Sequence, residues 1–330
     1  MAFRVALVGL GMAATPHAKS LQDLADRVEV AYAYSPSEER RREFATRFPF
    51  RQCERLETIL EDRSVDAVLI LTPPNTHLDL ASQFADAGKH ILLEKPLEIS
   101  TVRAEELVRR CSGITLAVVL QHRFRPAAEK LREQLSSLGA IVGASASIPN
   151  WRPQTYYDQP GRGTRARDGG GVLLTQAIHT LDLLLWFAGE PAQVKTLWTT
   201  TPLHRMETED LVCATVRWRS GALGVVQATT CAYPGYAERI ELIAVNGTAL
   251  LEGTTLRMQL QDGRRVEVRT EAGGGGTGAD PMAFPHDWHR GVLADFVDSV
   301  QKNRPPRVSG AEALKVHRFI DALLEKPLLA

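Results

Sequence analysis

The chain of 330 residues is long enough for about two domains. Its composition, 44% hydrophobic and 24% charged, is typical of a folded globular protein and argues against a disordered one. Acidic and basic side chains number 39 each, and this zero net charge disfavours a nucleic-acid partner, which normally requires a basic excess.

The N-terminal third alternates between apolar strands and amphipathic helices. Strands that are apolar throughout, separated by such helices, predict a parallel sheet covered on both faces. This is a doubly wound Rossmann domain, which we place at residues 1–122. Its strands are predicted at 3–8, 28–34, 67–71, 90–93 and 115–120, and its helices at 14–25, 37–47, 77–87 and 101–111.

The pattern changes after Arg125-Pro126, and an α+β domain is predicted over residues 123–330. A mostly antiparallel open sheet with helices on one face is expected, because turns such as Asn246-Gly247 and Asp262-Gly263 favour hairpins. A mobile loop is predicted at 271–280, and the terminal helices are candidates to pack back on the first domain. The strands are predicted at 140–147, 193–200, 211–218, 222–231, 239–245, 249–252, 256–261 and 265–269, and the helices at 127–135, 172–187, 288–301 and 310–324.

The first candidate site is the segment Gly9-Leu10-Gly11-Met12-Ala13-Ala14, of the form GxGxxA, between the first strand and the first helix. In such a segment the first glycine permits a tight turn, and the second lets the backbone approach a pyrophosphate. The final alanine permits close packing of helix on strand, and the helix N-terminus attracts phosphate. Gly9, Gly11, Met12 and Ala14 are therefore predicted to bind a dinucleotide; the alternative is a plain glycine turn.

The end of the second predicted strand bears on the choice of cofactor. NAD-specific sites usually place an acidic residue there, on the ribose hydroxyls. Here the strand ends in Ser35, and an arginine run begins at Arg40. A small hydroxyl residue near an arginine suits a 2′-phosphate, so we expect NAD or NADP with NADP favoured. The alternative is that the arginines form a solvated helix face.

Two further segments, residues 72–77 and Glu94-Lys95-Pro96, follow strands at the carboxyl edge of the predicted sheet. Open α/β sheets bind their ligands at this edge. In the second segment, Pro96 keeps Lys95 extended, and a lysine at this edge points into the cofactor crevice. The alternative for His77 is a simple helix-start residue, and the alternative for Lys95 is a surface lysine. The predicted cofactor contacts are Thr72, Pro73, Asn75, His77, Glu94 and Lys95.

A glycine run, Gly169-Gly170-Gly171, precedes an apolar helix that carries Thr175, His179 and Asp182. These three residues lie at helical spacing and are predicted to share one face. Buried polar groups need partners, so this polar stripe on an apolar helix indicates a functional site. We expect the glycine run to admit close approach of a substrate. The alternative for His179 is a satisfied core histidine.

The loop before this helix is rich in aromatic and arginine residues. Aromatic rings stack on sugars, and arginines hold carboxylate or phosphate in bidentate fashion. Substrate binding and inter-subunit contact are equally good explanations of this composition. The predicted substrate-binding residues of the loop are Trp151, Arg152, Tyr156 and Arg165.

The four cysteines are far apart and include no CxxC pair. A disulfide framework or zinc ribbon is therefore not expected, and we predict reduced thiols, a cytoplasmic location and no metal site. No apolar run approaches the roughly 20 residues of a membrane span, so no membrane partner is expected.

Together these motifs resemble the Gfo/Idh/MocA family of NAD(P)-dependent oxidoreductases, the relatives of glucose–fructose oxidoreductase and inositol dehydrogenase. Four motifs occur in the family's order and spacing: GxGxxA, residues 72–77, Glu94-Lys95-Pro96, and the glycine run with His179 and Asp182. Arg123-Phe124 resembles the RF segment that follows the family's Rossmann domain. The resemblance covers essentially the whole chain.

The resemblance implies specific roles. Lys95 corresponds to the lysine that contacts substrate and nicotinamide, and His179 corresponds to the acid/base histidine. Many sugar and cyclitol dehydrogenases of the family carry aspartate where this chain has Thr175, which argues against a strict Lys-Asp-His proton relay here. Arg123, Thr175 and Asp182 join the predicted substrate-binding residues.

The implied activity is hydride transfer at a secondary hydroxyl of a sugar, cyclitol or sugar derivative, with acidic or nucleotide-linked sugars included. Two alternatives stay open, namely an NAD-dependent glycoside hydrolase of the same fold and a dinucleotide-binding regulator without turnover. A homodimer or homotetramer that associates through the C-terminal sheet is expected.

Overall fold

The fold is described by a computed structural model over residues 2–270 and 285–325. The chain divides into two units. The first contains the residues up to Gln121 together with His286–Leu314, and the second runs from His122 to Pro285 and resumes at Lys315. The loop predicted at 271–280 lies outside the described residues.

The first unit is built on six parallel strands in the order β3-β2-β1-β4-β5-β6. The strand order reverses between β1 and β4, which opens a crevice at their carboxyl ends. The predicted doubly wound sheet is thereby confirmed, although the two-residue β3 was not predicted. The strands are β1 (Phe3–Val8), β2 (Val28–Tyr34), β3 (Gln52–Cys53), β4 (Ala67–Ile70), β5 (His90–Leu93) and β6 (Leu116–Val118).

Five helices connect these strands. The side chains of β4 are buried throughout, as a strand covered on both faces requires. α2 begins where the Ser37 hydroxyl accepts a hydrogen bond from the Arg40 backbone N–H. The helices are α1 (Ala14–Asp23), α2 (Glu38–Arg47), α3 (Leu56–Glu61), α4 (His77–Asp86) and α5 (Thr101–Arg110).

The second unit contains an eight-stranded sheet in the order β14-β13-β12-β11-β7-β10-β9-β8. All neighbouring pairs are antiparallel except β7 with β10, so the predicted mostly antiparallel sheet is confirmed. The strands are β7 (Ile141–Pro149), β8 (Pro191–Thr199), β9 (Leu211–Trp218), β10 (Leu223–Thr229), β11 (Arg239–Ala244), β12 (Gly247–Glu252), β13 (Thr255–Leu260) and β14 (Arg265–Arg269).

Helices cover one face of this second sheet. α6 (Pro126–Leu138) packs against β12 and β13, α7 (Gln154–Tyr157) is a single turn, and α8 (Ile178–Ala188) packs against β7. The single α-helix predicted at 172–187 is wrong at its start, because Leu173–Ala177 forms a π-helical turn. The π turn thus replaces the α-helical turn that was predicted at Thr175.

Two helices follow the second sheet. α9 (Asp287–Gln301) belongs to the first unit and packs against α1. The ring of Phe296 on α9 meets that of Phe3 on β1 edge to face, with centroids 6.3 Å apart. α10 (Gly310–Leu324) begins in the segment assigned to the first unit and ends in the segment assigned to the second. None of the helices described is long and apolar enough to cross a bilayer.

Candidate functional site

The turn between β1 and α1 is shaped for close approach of a ligand. Gly9 has a φ of 104°, and a Cβ at this residue would lie 2.9 Å from the Leu71 carbonyl carbon, so only glycine fits. At Gly11 no atom lies within 4 Å of the position a Cβ would take, and Met12 is exposed. Ala14 is fully buried against the sheet. Gly9 and Ala14 thus have a reason within the fold to be small, whereas the space at Gly11 is left open.

The end of β2 holds an arginine, but it is Arg41 rather than Arg40. The Arg41 Nη1 donates to the Ser35 carbonyl oxygen at 2.7 Å, and its Nη2 lies 3.5 Å from a Glu54 carboxylate oxygen. Ser35 is buried, whereas Arg40 is exposed on α2. The guanidinium at the end of β2 therefore comes from the second arginine of the predicted run.

The segment after β4 is tied down by His77. This side chain is fully buried, with Nδ1 3.0 Å from the Pro96 carbonyl oxygen and Nε2 2.9 Å from the Thr72 carbonyl oxygen. Burial lowers the pKa of the His77 imidazole. The ring links the loops that follow β4 and β5, and its full burial leaves no side-chain surface for the predicted cofactor contact. Pro73 and Asn75 are exposed, and Thr72 is half-buried.

Glu94, at the end of β5, lies in a buried cluster beside Lys95. One of its oxygens is 2.8 Å from His17 Nε2, and the other accepts the Lys95 backbone N–H at 3.0 Å. The ring of His289 on α9 meets that of His17 edge to face, with centroids 5.0 Å apart. This His17–Glu94–His289 cluster includes two residues that the sequence did not suggest, because their chain positions are far apart.

Charge in this cluster is set by burial and by its neighbours. Burial opposes ionisation of Glu94, but the hydrogen bond and charge of His17 outweigh it and lower the pKa of Glu94 to about 2. Burial, followed by the charge of His17, lowers the pKa of His289 to about 3. Glu94 is therefore ionised and His289 neutral at pH 7, and the carboxylate holds the Lys95 backbone.

Two groups of described residues bring possible metal-ligand atoms within 4.8 Å of one another, the His17–Glu94–His289 cluster and the set His204, Asp210 and Cys231. In the second group, His204 Nδ1 lies 2.8 Å from an Asp210 oxygen and Nε2 lies 2.9 Å from the Arg152 carbonyl oxygen. Both His204 nitrogens face acceptors and so have no lone pair directed to a cation. Hydrogen bonding explains this group.

The glycine run before α8 has a different explanation from the one predicted. A Cβ on Gly171 would lie 1.9 Å from the Glu209 carbonyl oxygen, so the glycine admits the protein's own backbone rather than a substrate. The Glu209 carboxylate accepts the N–H groups of Gly171 and Leu173, both at 3.1 Å. Burial raises the pKa of Glu209, and the backbone donors oppose that shift. In the π turn, the Thr175 hydroxyl donates to the Gly171 carbonyl oxygen at 2.6 Å.

Arg123 and Asp182, both predicted to bind substrate, form a buried ion pair. Arg123 Nε and Nη2 donate to the two Asp182 oxygens at 2.8 and 2.7 Å. The residues are only 2% and 1% exposed, which leaves little side-chain surface for a substrate. The bidentate pair instead holds residues 121–124 against α8.

His179 lies at the start of α8 with the ring of His122 stacked on it. The ring centroids are 4.6 Å apart and the planes are inclined by 29°. Arg125 Nη2 lies 2.5 Å from His122 Nε2, and the same guanidinium pairs with Glu238. No sequence motif pointed to His122, Arg125 or Glu238, and the spacing of His122 and Arg125 was the only local signal.

The aromatic and arginine-rich loop brings several predicted residues together. The guanidinium carbons of Arg152 and Arg162 lie 5.7 and 4.8 Å from the ring centroid of Tyr156, within cation–π range. Trp151 meets Tyr233 edge to face, with centroids 5.5 Å apart. Arg165 is exposed, and its backbone N–H donates to a Glu207 carboxylate oxygen.

Comparison with known protein families gives two matches along the chain. A model described as an oxidoreductase family with an NAD-binding Rossmann fold matches residues 3–122. A model of the GFO/IDH/MocA C-terminal domain matches residues 129–250. The two matches fall in the two units of the structure.

Individual relatives match nearly the full length. The chain is 26% identical over 325 residues to myo-inositol 2-dehydrogenase of Thermotoga maritima, which covers 94% of this chain and 91% of that protein. It is 28% identical over 282 residues to D-xylose 1-dehydrogenase (NADP(+)) 2 of Haloferax volcanii, covering 82% and 80%. The WlbA dehydrogenase of Bordetella pertussis, solved with NADH and UDP-GlcNAcA, superposes with a TM-score of 0.83 at 26% identity, covering 98% and 95%.

Proposed function

This chain belongs to the Gfo/Idh/MocA oxidoreductase family, and from that premise we propose that it is an NAD(P)-dependent dehydrogenase. Its substrate is the secondary hydroxyl of a sugar, cyclitol or sugar derivative. The observation that carries the proposal is the β1–α1 turn, where Gly9 has no room for a side chain and the space at Gly11 is open. The relatives described above are an inositol dehydrogenase and a xylose dehydrogenase, which supports this substrate class.

The first unit is assigned to the cofactor and the second to the substrate. The residues at the turn fit a dinucleotide, because the space beside Gly11 is open and lies just before the N-terminus of α1, which attracts phosphate. Thr72, Pro73 and Asn75 follow β4 at the same carboxyl edge of the sheet. When bound, the nicotinamide supplies the hydride acceptor or donor.

Two side chains are proposed to carry the chemistry on the substrate. His179 removes the hydroxyl proton during oxidation and returns it during reduction, a task suited to an imidazole. The Lys95 ammonium stabilises the developing alkoxide. Glu94 supports this role, because its carboxylate holds the backbone N–H of Lys95 at 3.0 Å.

An anionic substrate is supported by the loop around Tyr156. The half-buried Arg162 lies against this ring and is the candidate for an anionic group, whereas Arg152 is 4% exposed and its Nη1 donates to the Trp151 carbonyl oxygen. Arginine binds carboxylate and phosphate groups bidentately, and the aromatic face adds a stacking surface for a sugar. One relative of known structure was solved with UDP-GlcNAcA, an acidic nucleotide sugar. We propose a sugar acid or a nucleotide-linked sugar ahead of a neutral polyol.

NADP is proposed as the preferred cofactor because of the arginine at the end of β2. Ser35 stands where NAD-specific sites usually carry a carboxylate. The Arg41 guanidinium is held beside it by a hydrogen bond to the Ser35 carbonyl oxygen. A cytoplasmic location is proposed because all four cysteines are free thiols. A homodimer or homotetramer is proposed through the uncovered face of the second sheet, where Leu197, Leu223 and Val225 are exposed.

The test is hydride transfer followed by nicotinamide absorbance across a panel of polyols, neutral sugars, sugar acids and nucleotide sugars. Turnover is expected in the wild type. His179→Ala and Lys95→Ala should each lower kcat by about 10²–10⁴, the usual effect of losing an acid–base or electrostatic group. Their cofactor dissociation constants should change little, since the pyrophosphate contacts lie elsewhere.

The remaining outcomes identify the alternatives. Net glycosidic cleavage without net production of reduced cofactor would indicate the hydrolase. Tight dinucleotide binding with no turnover on any substrate would indicate the regulator. Wild-type kcat in both folded single variants would overturn the roles given to Lys95 and His179.

A further inference from the structure

We propose that His122 is a positioning residue whose neutral imidazole, kept in one tautomer by Arg125, holds the ring of His179 in its working plane. The catalytic consequence rests on the proposed role of His179, whereas the tautomer of His122 follows from the geometry of the second unit alone. All the residues in the argument belong to that unit.

The contact between the two rings is extensive. Their centroids are 4.6 Å apart and their planes differ by 29°, so one face of His179 is covered. Both residues are 8% exposed. Rotation of the His179 side chain about its Cβ–Cγ bond would drive ring atoms into His122. The stack therefore limits the direction in which the His179 nitrogens can point.

The tautomer of His122 follows from its partner. Arg125 Nη2 lies 2.5 Å from His122 Nε2. A guanidinium N–H can only donate, so His122 Nε2 must accept with its lone pair. The ring proton of His122 is therefore on Nδ1. A second proton on Nε2 would place two donors face to face and break the bond to Arg125.

Arg125 is itself held in place, so this bond is a fixed feature of the unit. The Arg125 side chain is nearly fully buried. Its Nη1 donates to a Glu238 carboxylate oxygen and to the Gly253 carbonyl oxygen, the latter at 3.2 Å. A buried guanidinium paired with a carboxylate keeps its charge and its orientation. His122 thus meets a permanent donor.

Two ion pairs of the second unit flank the stacked rings. On the side of His122, Arg125 faces Glu238, whose oxygen is also 3.9 Å from His122 Nδ1. On the side of His179, Asp182 of the same helix is held by Arg123. A proton taken up by His179 therefore meets a neutral ring across the stack. Two stacked imidazolium rings would repel each other and oppose that uptake.

The first experiment reads the protonation state without any need for turnover. The full chain, labelled with ¹⁵N and ¹³C at histidine, is titrated by NMR from pH 5.5 to 8.5. The His122 signals are assigned by their loss in His122→Phe. We expect ¹⁵N shifts of an Nδ1–H tautomer that stay constant over this range. A His122 ring that titrates near its ordinary value, or carries its proton on Nε2, would overturn the proposal.

The second experiment reads the effect on the reaction. His122→Leu removes the flat ring, and His122→Phe keeps a ring but lacks Nε2. For His122→Leu we expect kcat to fall about tenfold or more, because small misplacements of reacting groups are costly. Its KM should stay within about twofold, and the pH profile of kcat should move. The fall in kcat should be smaller for His122→Phe.

A matched control distinguishes positioning from a general loss of structure. His286→Leu removes another histidine, in the first unit, and should leave kcat and its pH profile as in the wild type. Wild-type kcat and pH profile in His122→Leu, or a fall in kcat without any change of profile, would show a merely structural residue. If the protein has no turnover on any substrate, the NMR result still decides the tautomer while the proposed function fails.

Discussion

Glu94 and His289 are buried titratable residues of the first unit, and their shifted pKa values make the stability of the fold depend on pH. The pKa of Glu94 is about 2, below its ordinary value, so its stabilising contribution is present above about pH 4.5 and is lost as pH falls toward 2. The pKa of His289 is about 3, so this ring stays neutral when folded, whereas the unfolded chain takes up a proton below about pH 6.5. Both effects destabilise the fold as pH falls.

We therefore predict that the melting temperature falls steadily from pH 6.5 to pH 4. His289→Phe keeps an aromatic ring against His17 but cannot take up a proton when unfolded. Its melting temperature should depend less on pH between 6.5 and 4.5 than that of the wild type. Scanning calorimetry at several pH values measures this, and the same slope in both proteins would contradict the prediction.

Arg41 is the residue that tests the preference for NADP. Arg41→Ala removes the guanidinium and should raise the dissociation constant of NADP about tenfold or more, the usual effect of losing a charge-assisted hydrogen bond. The constant for NAD should change little. Arg42→Ala is the control, since Arg42 is exposed and pairs with Glu38. Calorimetric titration decides, and equal effects of the two substitutions on NADP would reject the preference.

At the scale of elements, the π turn before α8 depends on a contact with the segment at Glu209. Gly171→Ala would place a Cβ 1.9 Å from the Glu209 carbonyl oxygen, so the backbone must move. Overpacking of this kind costs about 1–3 kcal/mol of unfolding free energy. Gly113→Ala is the control, because no atom lies within 4 Å of its Cβ position. Denaturant unfolding compares them, and equal stability of the two variants would contradict the prediction.

The elements also show how far the sequence could predict the structure. Leu211–Trp218, Arg265–Arg269 and Gly310–Leu324 have the predicted bounds, because their hydrophobic periodicity is clear. The two-residue β3 and the six-residue α3 are too short to show a period. The π turn was not predicted, because it is associated with a carboxylate 38 residues along the chain.

The same limit applies to the candidate site. The glycine motif was visible because its spacing is local and its chemistry depends on the backbone. The choice between Arg40 and Arg41 required the rotational phase of α2, which composition does not give. The stack of His122 on His179 joins an irregular segment to a distant helix, so no periodic pattern could reveal it.

At the scale of the whole molecule, the second sheet has one covered and one open face. Leu197 is 69% exposed on the open face, and Leu223 and Val225 lie on it as well. Apolar side chains grouped on one sheet face favour association with a second copy. We expect a dimer or tetramer in solution, measured by light scattering after size exclusion.

Substituting an acidic residue on the open face should disrupt that assembly. Val225→Glu should shift the population to smaller species, because association would bury an unpaired charge. Val102→Glu is the control, since Val102 is 78% exposed on α5 of the first unit. A wild-type protein that is monomeric, or a Val225→Glu variant with unchanged mass, would contradict the proposed interface.

The first unit is assembled from two stretches of chain that are separated by most of the second unit. During synthesis, Phe3 and α1 leave the ribosome long before α9, which later packs against them. The second unit's sheet lies within one continuous stretch and can form while translation continues. The dinucleotide-binding unit therefore cannot be completed until α9 has been made, although its strands are the first to be made.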